Sequence, residues 1–358
     1  MSHIFIPGPV DVAPEVLAAM TKPLIPHRSK EYETIHRGAS EKAQQLFQTK
    51  YRVLIGTHTG SGMQECGVRN LANRDVLACV NGAFSQRWFD VAVSNGKQAD
   101  RMDIEWGKAI PPEELKKALR KKKYEAVSIV HNETSTGVMN PIADLAKAVR
   151  EVSPETFVMV DAVSSLGGVK IEMDAWDIDF ILTSSQKCLA LPPGLSLVAV
   201  NDRSLEKAKS VQNRGWYFDL LIMEKHRIKN STAMTPAVSL VFALNFQLDR
   251  ILKEGIEARF ARHAAVSDRV YAWAEGYGMT SFAEKAYRSK TVATINNSLG
   301  LDISALNAYL MKTHEMCISN GYGDLKGKTF RIATMGETNL DDIEELLSAI
   351  DAYISENL

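Results

Sequence analysis

From Arg52 to about residue 200, apolar positions fall into short runs, each followed by a glycine- or hydroxyl-rich turn and then a stretch with helical spacing. RVLIGT predicts a strand, and HTGSGMQE then turns into a helix reaching about Asn73. DVLACVN and AFSQRWFDVAVSNG repeat the pattern. YEAVSIVHN leads through ETSTG to a helix from Asn140 to Val152, TFVMVDAVSS is a further strand, and Phe180, Ile181 and Leu182 end the next. Such alternation predicts an α/β fold with a mainly parallel central sheet and helices on both faces.

The flanks differ. Phe5 to Pro9 reads as an extended entry, followed by a helix from about Pro14 that Asp11 helps to initiate, and then by an amphipathic helix from about Ser29 to Gln48. Beyond the alternating region come two long helical patterns, about Pro236 to Glu254 and Ile256 to Tyr277, and a tail containing the strands KTVATINN and TFRIATMG. The change of rhythm predicts a large unit over residues 1–255, N-terminal segment included, and a smaller C-terminal α+β domain over 256–358.

Composition narrows the partners. Forty-two lysines and arginines nearly cancel 43 aspartates and glutamates, so no global field attracts nucleic acid or an anionic membrane, and the substrate is expected to be a small molecule. The basic helix PPEELKKALRKKK has no interleaved aromatics and reads as a solvated face. Cys66, Cys79, Cys188 and Cys317 are widely spaced, which predicts neither a metal site nor a disulfide framework. A reducing cytoplasm is the expected location, since MSHIFIPGPVDVAP is broken by prolines and no apolar run is long enough to span a bilayer.

The chemistry concentrates in FILTSSQKCLALPPGLSL. Lys187 leaves a buried strand between two apolar runs, a setting that favours a neutral, nucleophilic amine able to form a Schiff base with an aldehyde. Asp161 ends another buried strand, where a carboxylate needs a cation or a hydrogen-bond donor opposite it. Thr59, Gly60, Ser61 and Gly62 set backbone N–H groups and two hydroxyls at a helix start, a seat for a phosphate. Phe84 is either core or a ring that stacks on a flat ligand. Arg331, inside the apolar run FRIAT, is either an edge-strand charge or a fork aimed at a carboxylate. His27 and Arg28 suit an anionic ligand or plain solvation. Thr59 to Gly62, Phe84, Thr134, Asp161 and Lys187 all follow predicted strands, where ligands of parallel sheets gather. A Schiff-base lysine, an aspartate for a pyridine nitrogen, a phosphate cradle and a stacking ring together specify pyridoxal phosphate.

HNETSTG, VDAVSSLGG, SSQKCLALPPG and FRIATMG resemble the signature blocks of the class V, fold type I aminotransferases, in particular the alanine:glyoxylate and serine:pyruvate group. The resemblance runs from IPGPV to the tail. It implies Lys187 as the aldimine lysine, Asp161 at the pyridine nitrogen, Val163 against the ring face and Thr134 at the ring hydroxyl. Gln186, Ser61, Gly62 and Met63 would hold the phosphate, and Arg331 the substrate carboxylate. It further implies a homodimer whose neighbouring subunit completes the phosphate site through Thr232 and Thr235 of STAMTP. Phe84 stands where many relatives have tryptophan, and Met63 where some have a polar side chain.

The resemblance leaves a choice of donor. A small neutral amino acid, serine or alanine, with glyoxylate or pyruvate as acceptor is the first expectation. Phosphoserine is the alternative, because His27 and Arg28 resemble a substrate-phosphate contact, although the GSGM turn lacks a further arginine. A cysteine desulfurase requires an exposed cysteine on a mobile loop, and Cys317 reads as mostly packed. A non-catalytic scaffold would not require Lys187, Asp161 and Arg331 together.

Overall fold

The computed structural model describes residues 3–357. The first strand, β1 (His3–Phe5), precedes α1 (Pro14–Ala19) and α2 (Lys30–Phe47). Strands and helices then alternate through β2 (Arg52–Gly56), α3 (Gly60–Leu71), β3 (Asp75–Val80), α4 (Ala83–Ser94), β4 (Gln98–Asp103) and α5 (Pro112–Lys121). Next come β5 (Ala126–Val130), a hairpin of β6 (Asn132–Glu133) and β7 (Val138–Met139), α6 (Ile142–Val152), β8 (Phe157–Asp161), β9 (Phe180–Ser184) and β10 (Ser196–Val200). Helices α7 (Asp202–Ser210), α8 (Leu220–Arg227), α9 (Val238–Glu254) and α10 (Ile256–Gly276) lead into the C-terminal part. That part comprises β11 (Val292–Asn296), α11 (Ile303–His314), β12 (Met316–Asn320), β13 (Thr329–Ala333) and α12 (Leu340–Asn357).

The large sheet has the order β2-β10-β9-β8-β5-β3-β4, and only β10 runs against the others. Its interior strands are largely apolar because both faces are covered. Along β2, Val53 and Ile55 enter one apolar cluster and Leu54 the other; along β8, Val158 and Val160 oppose Phe157 and Met159; along β9, Ile181 opposes Phe180 and Leu182. Each such burial contributes roughly 1.5–3 kcal/mol, so the strand interiors stay apolar and polar chemistry is pushed to the carboxyl ends. Helix starts meet it there. Thr59 caps α3 by accepting a hydrogen bond from the Gly62 N–H at 3.2 Å.

A second sheet, ordered β1-β12-β13-β11, packs with α10, α11 and α12 around its own apolar cluster. It corrects the expected boundary, since β1 pairs in parallel with β12 and therefore belongs to the C-terminal sheet rather than to the large unit. Three residues carry too short a pattern to announce their partner. Asp11 is corrected too: its carboxylate accepts from the Ile4 N–H at 2.9 Å, and α1 starts at Pro14 without a side-chain cap. Strand β4 had no apolar signature because it is a half-exposed edge carrying Gln98, Asp100, Arg101 and Asp103.

Candidate active site

Lys187 sits just beyond β9 in a loop fastened from several sides. Ser185 ties the loop ends together, its N–H donating to the Leu195 carbonyl at 3.0 Å and its hydroxyl to the Pro192 carbonyl at 2.7 Å. The buried Arg259 of α10 donates to the Cys188 carbonyl at 2.9 Å, and the Cys188 thiol to the Ser164 carbonyl at 3.4 Å. The lysine itself reaches back to the amino-terminal segment and donates to the Pro7 carbonyl. Burial lowers its pKa to about 8, with the nearby Arg331 charge acting in the same direction.

Asp161, at the end of β8, accepts from the Gln64 side-chain amide at 2.7 Å and from the Val163 N–H at 2.8 Å. Two neutral donors only partly offset its loss of solvation, and burial pushes its pKa up to about 6. This carboxylate is therefore best matched by a cationic partner.

Both residues open into a cavity of about 520 Å³, within the range of small-molecule and cofactor sites. Its lining brings together Thr59, Gly60, Ser61, Phe84, Thr134, Asp161, Val163, Gln186, Lys187 and Arg331. The first-turn N–H groups of Gly60 and Ser61 precede the first main-chain bond of α3, which runs from Met63 to Thr59, so this helix start is suited to an anion. Space is tight at Gly60, where a β-carbon would come 2.7 Å from Val163 Cγ2. Ser184 Oγ, Asn132 Oδ1 and Gln64 Oε1 are buried atoms without a hydrogen-bond partner among the described residues, on residues that line the same cavity.

Arg331 lies on β13, between β12 and β11, so it is not an edge-strand charge. Its Nη1 donates to the Thr134 carbonyl at 3.3 Å and its Nε to the Asn320 carbonyl at 3.1 Å, which fixes the fork where the small sheet meets the large one. Burial lowers its pKa to about 10, so it remains cationic at neutral pH. Thr134 donates through its hydroxyl to Ser164 Oγ at 2.9 Å.

Other expected site residues lie elsewhere. Met63 is buried in the apolar cluster beneath α3, and its N–H is taken by the Thr59 carbonyl at 3.2 Å, because the fourth helical residue turns inward to the sheet. Gly62 faces Phe218, whose Cζ would lie 2.9 Å from an added β-carbon. Thr232 and Thr235 line a separate, smaller cavity with His36, His58 and Arg227. Arg28 is exposed and donates to the Ala233 carbonyl at 3.5 Å, and neither it nor His27 lines the Lys187 cavity.

Several residues of the cavity and its support escaped sequence reading. Gln64 and Arg87 sit one turn into α3 and α4, where nothing in the local pattern separates a cavity-facing polar residue from a solvated one. Glu133 is fully buried and holds the start of α4, accepting from the Phe84 N–H at 3.2 Å and the Ser85 N–H at 2.9 Å. Tyr322, in the turn after β12, was hidden because its segment belongs to the other sheet.

A family model described as "Aminotransferase class-V" matches residues 15–335. The chain is 33% identical over 340 residues to the L-aspartate–glyoxylate aminotransferase of Paracoccus denitrificans, covering 93% of this chain and 86% of that protein. It is 32% identical over 364 residues to the serine–glyoxylate aminotransferase of Hyphomicrobium methylovorum, covering 99% and 90%. The crystal structure of alanine–glyoxylate aminotransferase from Nostoc sp. superposes with a TM-score of 0.94 at 28% identity, covering 99% of this chain and 95% of that one.

Proposed function

The chain belongs to the class V aminotransferases, and from that premise we propose that it moves the amino group of serine or alanine to glyoxylate or pyruvate in the Lys187 cavity. Enzymes of this family depend on pyridoxal phosphate, and the fold is that of fold type I. When bound, pyridoxal phosphate supplies an aldehyde that captures amines and a pyridine ring that withdraws electrons.

The observation that carries the reading is the meeting of four complementary groups in one cavity: an amine of lowered pKa, a buried carboxylate hydrogen-bonded by neutral donors, a helix start and a carboxylate fork. The donor set fits the cofactor. The α3 start and Ser61 suit its phosphate, Phe84 and Val163 its ring faces, and Asp161 its protonated ring nitrogen. The unpartnered polar atoms of Ser184, Asn132 and Gln64 offer further contacts. Arg331 orients the substrate carboxylate through its planar fork. Lys187, with its pKa lowered to about 8, takes the proton from the substrate carbon and later returns it.

We further propose a cytoplasmic two-fold dimer. Its support is a surface where Arg28 touches the Ala233 segment between Thr232 and Thr235, close in sequence to Ile228, which is 66% exposed; Trp216 nearby in the chain is 63% exposed. Among the described residues no helix is long and apolar enough to cross a membrane.

A panel of donors tests the reading. Alanine, serine, aspartate, glutamate and phosphoserine are each mixed with the cofactor-loaded protein while the visible absorbance band is followed. Rapid loss with serine or alanine is expected. Aspartate is the second reading, favoured by Arg87, a cavity guanidinium whose nearest polar contacts are the neutral hydroxyls of Ser61 and Tyr322. A band unmoved by every donor would remove the proposal.

A further inference from the structure

We propose that Tyr322 sets the upper size of the substrate side chain, forming the wall of the cavity between Phe84 and Arg331. The inference rests on the aminotransferase reading only in taking Arg331 as the carboxylate site.

Tyr322 follows β12, so it belongs to the small sheet, yet its ring projects into the cavity of the large one. Its centroid lies 5.2 Å from that of Phe84 at an interplanar angle of 37°. The Arg331 guanidinium lies 5.5 Å from the same ring. A third group inserted between two rings needs contact distances of about 3.5 Å on each side, roughly 7 Å in all. The space is closed to it. A carboxylate at Arg331 thus brings the rest of the molecule against a wall that a hydrogen, methyl or hydroxymethyl group clears more readily than a long or aromatic one.

The wall is also held in place. Arg87 Nη2 donates to the Tyr322 hydroxyl at 3.3 Å, while the Arg87 guanidinium lies 4.8 Å from the Phe84 ring. Arg87 and Phe84 share α4, so the phenol is fastened across the gap between the two sheets. The turn behind Tyr322 is tightly packed: a β-carbon at Gly321 would collide with the Leu325 carbonyl oxygen. Ring and hydroxyl therefore have separable tasks: the ring excludes volume, and the hydroxyl keeps the ring where it excludes it.

The experiment uses cofactor-loaded wild type, Tyr322→Phe and Tyr322→Ala, with two readouts. Binding of the unreactive carboxylates acetate, butyrate and 3-phenylpropionate is measured by calorimetry, and kcat/KM is measured for alanine, norvaline and phenylalanine. Wild type is expected to favour the short members of both series. Tyr322→Ala should improve the longest relative to the shortest by about tenfold or more, the scale on which apolar pockets discriminate. Tyr322→Phe, which keeps the ring but loses its bond to Arg87, should give a ratio between those of wild type and Tyr322→Ala. An unchanged ratio in Tyr322→Ala, with folding and cofactor absorbance intact, would overturn the proposal, as would a wild type that binds 3-phenylpropionate best. Absence of turnover with every amino acid, alongside a carboxylate series that relaxes in Tyr322→Ala, would remove the aminotransferase reading and leave the wall standing.

Discussion

Gly8 and Lys187 are in such close contact that a β-carbon on Gly8 would lie 2.6 Å from the lysine Cδ and 2.9 Å from its Nζ. Gly8 also has φ +101°, a left-handed conformation that side chains rarely adopt. The amino-terminal segment thus bounds the lysine's range of movement. Gly8→Ala is expected to displace the Lys187 amine and lower cofactor affinity about tenfold or more, on the scale by which small misplacements disable sites. Absorbance titration of the folded variant with pyridoxal phosphate measures it, and wild-type uptake would show that the contact does not constrain the lysine.

Lys187→Ala is expected to bind pyridoxal phosphate weakly and to lose transamination, with borohydride labelling of the wild type mapping to Lys187. The pH dependence is specific. An ordinary lysine exposes its neutral amine only near pH 10.5, whereas burial brings Lys187 to about 8. Cofactor capture by the apoprotein should therefore accelerate up to about pH 8 and then level. A rise continuing to pH 10 would assign capture to a different, unperturbed lysine.

Asp161 gives an opposite sign in the two forms of the protein. In the apoprotein its folded pKa of about 6 lies above the ordinary 3.8, so the folded state holds the extra proton between those values and stability falls as pH rises through that window. Asp161→Asn should remove that fall, measured as melting temperature from pH 4 to 7. In the proposed loaded form the carboxylate would face a positive charge, and its loss should cost several kcal/mol, about that of breaking a buried pair. Near-normal turnover in Asp161→Ala would exclude the contact.

The contrast between legible and hidden residues follows from where information sits in a chain. Lys187, Asp161 and Thr59 to Ser61 were readable because each interrupts a buried apolar run at a strand end, and a parallel sheet carries such ends to one edge. Arg331 was ambiguous until the order β12-β13-β11 showed it on an interior strand. Tyr322 and Gly8 reach the cavity only through the pairing of distant segments, which no local periodicity encodes. Met63 shows the reverse: it borders the right turn, yet helical geometry rotates its side chain into the core.

Thr232 and Thr235 lie outside the Lys187 cavity of their own chain, so any service to a cofactor must come from a second subunit. Each of Thr232→Ala and Thr235→Ala should weaken cofactor binding severalfold while leaving the fold intact. Mixing inactive Lys187→Ala with the Thr232→Ala/Thr235→Ala double variant should then yield hybrid dimers with one complete site, regaining activity above either parent. Sedimentation of the active enzyme as a monomer, or no gain on mixing, would rule the shared site out.

Arg28 separates the serine reading from the phosphoserine reading. Among the described residues its polar contact is a long 3.5 Å bond to the Ala233 carbonyl, and the side chain is exposed. If the fork met a substrate phosphate across a dimer, each charge-assisted bond would contribute roughly 1.5–3 kcal/mol, about one to two orders of magnitude in preference. A substrate without a phosphate has no use for that strength, and its carboxylate would be served by Arg331 on a rigid interior strand. Arg28→Ala is therefore expected to change kcat/KM for serine and phosphoserine by the same small factor, from a wild type that prefers serine. A wild type that strongly prefers phosphoserine, combined with a loss in Arg28→Ala confined to that donor, would reverse the assignment and make Arg28 the residue that selects the substrate.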